Sequence, residues 1–129
     1  MRTRRAGTKP GQAMVEMALV VMLLLILTFG IADAGLFMYD YVQAANCARE
    51  GARRAAVRAA DAESPPFCVS SGLQPDVTDG YMTLPAGEEV LSTVTKAHKW
   101  IVICYLVPGM SCTIDIKAAT SMRMEGQKL

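Results

Sequence analysis

No charged side chain stands between Glu16 and Asp33. The run from Met17 to Ala32 is built of Leu, Val, Met, Ile, Ala and Phe with one Thr and one Gly. A stretch this apolar reads as a helix in lipid. It is slightly short to span on its own. Gln12 to Val15 and Ala34 to Met38 bring it to the roughly 20 residues a bilayer needs. Past Asp33 the pattern turns amphipathic and still reads as helix, so one long helix, half in lipid and half in water, accounts for the stretch from Gly11 to Arg54.

What precedes the run fixes its direction. Arg2, Arg4, Arg5 and Lys9 come before it with no acid among them. By the positive-inside rule they hold the N-terminus in the cytoplasm and send the rest of the chain outside. They read as a topology signal rather than a nucleic-acid contact, and no nucleic-acid partner is expected. Pro10 biases Lys9 away from helix, so helix is expected to begin near Gln12. The whole chain has 129 residues and a net charge of +1. About seventy residues remain after Ala60, a marginal core unless something staples it. Four cysteines in an oxidising compartment can do that.

In the second half of the helix, small residues recur at Ala45, Ala48, Ala52, Ala55 and Ala59, in steps of roughly three and four that mark one face. Such a stripe wants a partner surface, the chain's own core being the commoner one. Arg49, Glu50, Arg53, Arg54 and Arg58 lie on the polar side, with Glu50 placed to pair with Arg54 one turn on. Gly30 and Ala34 form a small-xxx-small pair that lets another helix approach. Pro65 and Pro66 should stop the helix by residues 62–64. Unbroken from Gln12, it would be roughly 75 Å long, about twice a bilayer core.

Beyond it the sequence predicts a small region of mixed structure. Pro-Pro, Ser-Ser-Gly, Gln-Pro-Asp and Asp-Gly between Ser64 and Gly87 read as consecutive turns. Phe67 to Val69 and Tyr81 to Leu84 are candidate short strands. Glu88 to Lys99 spaces Val90, Leu91, Val94 and Ala97 as a short amphipathic helix, although its β-branched residues also suit a strand. Trp100 to Leu106 and Ser111 to Lys117 flank Val107-Pro108-Gly109, which predicts a hairpin. The tail from Ala118 is expected to fray.

Little in this inventory carries reaction chemistry. His98, the single histidine, is placed by the predicted helix on the surface among Lys96, Lys99 and Trp100. No catalytic triad, phosphate loop or zinc spacing can be assembled, so no enzyme activity, cofactor or metal is expected. If Val107-Pro108-Gly109 is the hairpin loop, Cys104 falls opposite Cys112. Cys47 and Cys68 are then left to each other. Glu16 is the residue that needs a reason, since a carboxylate on a membrane helix is unfavourable. If the chain is cut after Gly11, Gln12 supplies a new α-ammonium one turn from Glu16. That pair would neutralise both charges and set the register between subunits.

Gly11-Gln12-Ala13-Met14-Val15-Glu16-Met17-Ala18-Leu19-Val20 resembles the processing motif of the class III signal peptide in TadE-like pseudopilins, minor pilin-like components of the Tad pilus system, related to Flp pili of the type IV family. The likeness continues through Gly30 to Gly35 and Ala44 to Arg53, and ends near residue 55. Met22 stands where the family often has a proline, so an unkinked helix is expected. The resemblance implies a leader, residues 1–11, cut between Gly11 and Gln12 by a prepilin peptidase. It implies a protein of the cytoplasmic membrane that assists pilus assembly alongside other pilins, pseudopilins and the inner-membrane pilus platform. The expected architecture is α+β: a transmembrane helix over 12–38, its extracytoplasmic continuation over 39–63, and a small disulfide-stapled α/β region with a β-hairpin over 64–129. Two alternatives stand: a plain uncleaved signal anchor, and a secreted protein cut after Ala34 in Ala32-Asp33-Ala34.

Overall fold

The structure, a computed structural model, describes residues 10–126. One helix dominates it. Helix α1 runs unbroken from Pro10 to Ala56, 47 residues, or about 70 Å at ~1.5 Å per residue. It is rich in Ala, Leu and Met, which form helix readily, and has no proline after its first residue. It starts two residues earlier than expected, with Pro10 in the opening turn, where a missing N–H costs nothing.

Its other end corrects the sequence reading. Helix was expected to reach residues 62–64, and it stops at Ala56. Arg58 takes a left-handed conformation at φ 56°. The Arg58 N–H then donates to the Ala55 carbonyl at 2.9 Å, and the Ala59 N–H to that of Arg54 at 2.9 Å. These are the two bonds of a Schellman cap, formed here without glycine. Arg58 is held in it by a bond from its guanidinium to the Leu84 carbonyl, 2.7 Å. The prolines therefore act downstream of the stop.

The remaining elements form a head on one side of α1. Helix α2 spans Pro66–Ser70 and strand β1 Asp76–Val77. A single 3₁₀ turn covers Tyr81–Thr83. Strand β2 follows at Glu89–Lys99, helix α3 at Ile103–Leu106 and strand β3 at Thr113–Arg123. The sheet is antiparallel in the order β1-β2-β3. β2 and β3 pair along their full length, from Glu89 opposite Arg123 to Lys99 opposite Thr113. The fold is α+β, as expected.

Several local expectations change. Phe67 to Val69 is helical, because Pro66 opens a turn whose Cys68 is bonded to Cys47. Tyr81 to Thr83 is a 3₁₀ turn, started by left-handed Gly80 and fixed by the Tyr81 hydroxyl donating to the Ala59 carbonyl, 3.0 Å. Residues 89–99 are strand rather than helix. Val90, Ser92, Val94 and His98 alternate inward, whereas Leu91 and Ala97 of the helical reading face water. The hairpin is β2–β3 itself, closed by a bond from Trp100 N–H to the Cys112 carbonyl. Trp100 to Leu106 is thus a turn and a short helix. Of the tail expected to fray from Ala118, residues 118–123 are the second half of β3 and Met124 is buried beyond them, while residues 127–129 lie outside the described residues.

The core lies between the sheet and the second half of α1. One cluster joins Ala44, Cys47 and Ala48 to Cys68, Leu73, Val94 and Ala118; another joins Ala55 to Ala62, Val77, Tyr81, Val90 and Met124. The helix face is small because the sheet comes close. A Cβ on Gly51 would meet Ser92 Oγ at 2.7 Å and Pro75 Cβ at 2.8 Å. Ala48, Ala52 and Ala55 of the predicted stripe are fully buried, Ala45 packs at its edge, and Ala59 lies past the helix end.

Both expected disulfides form. Cys47 and Cys68 tie α1 to α2, their Cα atoms 5.4 Å apart. Cys104 and Cys112 close the β2–β3 connection at 5.0 Å. Cys104 nevertheless sits on α3 and not on a strand facing Cys112, as the expected hairpin would have it.

Candidate functional site

Two features of α1 carry what the chain can do. The first is its bare end. From Gly11 to Ala32 every residue but Gly30, which is half-buried, stands exposed, including Met14, Leu23, Leu27 and Ile31. That length is roughly 33 Å of helix, against a hydrocarbon core of about 30 Å. Among the described residues this is the one helix long and apolar enough to cross a membrane. The spanning stretch expected at 12–38 overlaps the head by its last six residues, because Asp33 and Phe37 are covered by the chain after β2.

The expected site residues lie along this bare end. Gly11 and Gln12 are in the opening turn, exposed. The N–H groups of that turn have no intrahelical acceptor, so it is the part of α1 most easily unwound. Glu16 is exposed one turn from Gln12. Residues 1–9, most of the expected leader, lie outside the described residues. A Cβ on Gly30 would meet nothing within 4 Å, and Ala34 is exposed. The face these two share is open to another helix.

The second feature is the junction where head meets helix, and the sequence reading missed it. Asp33 is 2% exposed. Its carboxylate accepts the backbone N–H groups of Ile101 (3.3 Å), Val102 (2.8 Å) and Ile103 (3.0 Å). It thereby satisfies amides that open α3 and would otherwise go without acceptors. Two turns on, Asp40 takes a proton donor from His98 Nδ1 at 2.6 Å and an ion pair from Lys96 at 2.7 Å. Burial pushes the Asp40 carboxyl up, but those two partners outweigh it and hold it below its ordinary value. Lys96 also donates to Gln43 Oε1, 2.6 Å.

His98 is therefore not a surface residue as expected. It is 3% exposed, edge-on to both Phe37 and Trp100, and Trp100 stacks on Phe37 with centroids 5.5 Å apart. The strand placed it inward, where the expected helix would have turned it out. Its bond to a carboxylate, which only accepts, puts the proton on Nδ1. Asp33, Phe37, Asp40, Ala44, Cys47 and Gly51 recur every three or four residues. The signal that could have found the junction was this stripe, read back from Ala44 to Asp33.

Higher on α1, Glu50 bonds to Arg53 and Arg54 at 3.0 and 2.7 Å, and Arg54 pairs also with Asp61. The two guanidiniums lower the Glu50 carboxyl to about 2. No group of three His, Cys, Asp or Glu side chains among the described residues is placed to hold a metal. The arrangement grips a head onto a helix and leaves that helix's other end free for lipid or other helices.

Comparison with known proteins agrees with this division. No curated protein and no solved structure matches the chain. The family described as TadE-like protein matches residues 11–53, about a third of the chain, covering the bare end, the junction and most of the small-residue face. The match stops three residues before α1 does and leaves out the sheet. Over its long helix the chain is similar to TadE-like proteins.

Proposed function

We propose that this chain is a membrane-anchored pseudopilin that supports assembly of Tad pili, with no enzymatic step of its own. The observation that carries the reading is the division of α1. One unbroken helix is bare and apolar over residues 11–32 and gripped by a disulfide-stapled head over 33–56, and the family match covers both parts. A prepilin peptidase cuts between Gly11 and Gln12 on the cytoplasmic face. The head lies outside. Glu16 then neutralises the new α-ammonium, on its own helix or on a neighbouring pilin's, and so fixes the axial register of packing. Other pilins, pseudopilins and the inner-membrane platform are the partners this geometry suits.

A cut after Ala34 fits poorly. It would split α1 within a turn of Asp33 and take away the acceptor of three backbone amides in the head.

Intact-mass measurement on protein from cells carrying the matching peptidase tests the reading. A mature chain starting at Gln12 supports it. A start at Met1 makes the protein a plain anchor, and a start at Gly35 makes it a secreted one. Glu16→Ala should leave insertion intact and weaken assembly with partner pilins.

A further inference from the structure

The connection between β2 and β3 is uncharged and mostly apolar. From Trp100 to Cys112 there is no charged side chain. Ile101, Tyr105, Leu106, Val107 and Met110 are 58, 82, 46, 48 and 38% exposed. A contiguous apolar patch of this kind on a small domain marks a contact surface.

Its position says what the contact is. Asp33 clamps residues 101–103, and the bare part of α1 begins with Ala32, the residue before it. Val102 lines the same open apolar groove as Phe29, Ile26 and Leu25 of the bare helix. The connection is also held in shape. Cys104 and Cys112 close it, the Val107 and Met110 amides bond to Ile103 and Val107 carbonyls inside it, and left-handed Gly109 makes its turn. The opposite end of the head, by contrast, carries exposed Glu63, Asp76 and Asp79 around Gln74 and Pro75.

We propose that this loop is a second membrane contact. Resting on the reading of α1 as a membrane anchor, Ile101 and Tyr105 to Met110 seat in the headgroup–acyl boundary of the bilayer leaflet that α1 leaves. The occupant is lipid rather than protein because the patch continues the lipid-facing surface of α1 without a break. It lies at the level where that surface ends, and it carries an exposed tyrosine, Tyr105, among apolar side chains without charge, a composition favoured at a membrane interface. Two attachments, a spanning helix and a loop beside it, fix the tilt and rotation of the head relative to the membrane plane. A helix alone leaves both free.

The test uses the unsubstituted full chain in phosphatidylcholine nanodiscs containing lipid spin-labelled near the headgroup. Amide line broadening is read by magnetic resonance. Amides of Tyr105 to Val107, Gly109 and Met110 should broaden about threefold or more beyond those of Gly80 to Thr83 at the far end of the head, consistent with seating about 5–10 Å into the interface. Tyr105→Asp with Leu106→Asp should abolish that difference while the broadening of α1 persists. If residues 14–29 broaden and the loop does not, the loop inference falls and the anchor stands. If neither broadens, both fall. Should the loop respond only to spin label carried on a second copy of the chain, a protein contact covers it and the lipid assignment is overturned.

Discussion

The two halves of α1 have the same backbone and opposite side-chain economies. Over residues 11–32 the helix presents Leu, Met, Val, Ile and Phe in all directions, and none of that apolar stretch is buried in the protein. Over residues 33–56 it presents Ala, Cys and Gly to a sheet and charges to water. Lipid tails conform to any shape, so the first half needs bulk and no fit. A sheet does not conform, so the second half needs a flat face with side chains short enough for close approach, and polar anchors at its ends. One half's stability comes from solvent and the other's from packing, and perturbations should separate them.

The largest separation should come from reduction. Cys47–Cys68 closes a loop with a sequence separation of 21, and its loss should destabilise the head by about 3 kcal/mol. Cys104–Cys112, with a separation of 8, should matter less, about 2.5 kcal/mol. Urea unfolding in neutral detergent, followed by near-ultraviolet circular dichroism, should show Cys47→Ala with Cys68→Ala melting earlier. The far-ultraviolet helix signal of the bare half should persist after the head has melted. Loss of both signals in one transition would mean the halves are a single cooperative unit.

Glycine gives the next contrast. Gly51→Ala drives a methyl against Ser92 and Pro75 and should destabilise the head by about 1–3 kcal/mol. Gly30→Ala meets open space and should be neutral, or stabilising by up to about 1 kcal/mol through helix propensity. Equal effects at the two positions would contradict the division. A loss of pilin assembly in Gly30→Leu without loss of stability would sharpen it, by showing that the bare face is used by another helix.

The same division explains what could be read from the sequence. The bare half was legible because lipid imposes only hydrophobicity and length, and both are local. The small-residue face was legible because its period is local too. The sheet was harder. Val90, Leu91, Val94 and Ala97 fit a helix spacing as well as Val90, Ser92, Val94 fit a strand, and β3 decides between them. Residues 118–123 looked like a tail for the same reason, since alternation of Ala118, Thr120 and Met122 has meaning only beside β2. In the sequence Asp33 reads as the end of an apolar run. Its partners are some seventy residues away and are backbone amides, which no sequence pattern records. The disulfide pairs came out right although the hairpin behind them did not. In a short loop several conformations bring the same two cysteines together, so the pairing depends little on whether the intervening chain is strand or helix.

The smallest expected effect is acid sensitivity, and it too should be confined to one half. Every ion pair among the described residues joins side chains of the packed half or the head. Glu50 is lowered from 4.5 to about 2 by Arg53 and Arg54, and Asp40 lies below 3.8 despite its burial because Lys96 and His98 face it. A carboxyl whose folded value is depressed contributes stability above its unfolded value. That contribution is lost as pH falls through the folded value. The head should therefore keep its full stability at pH 6 and weaken progressively from about pH 4.5 towards 2. With the Glu50 side chain a quarter exposed, solvent screening limits its share to about 1 kcal/mol. Thermal unfolding in detergent between pH 6 and 3 should show the midpoint of the head falling, and less so in Glu50→Gln, which has no proton left to gain. High salt should reduce the Glu50 contribution at pH 6, because that pair is partly exposed. A pH profile unchanged by Glu50→Gln would assign the acid sensitivity to the carboxylates of the junction, and a flat profile in the unsubstituted protein would remove electrostatics from the account of what grips the head to the helix.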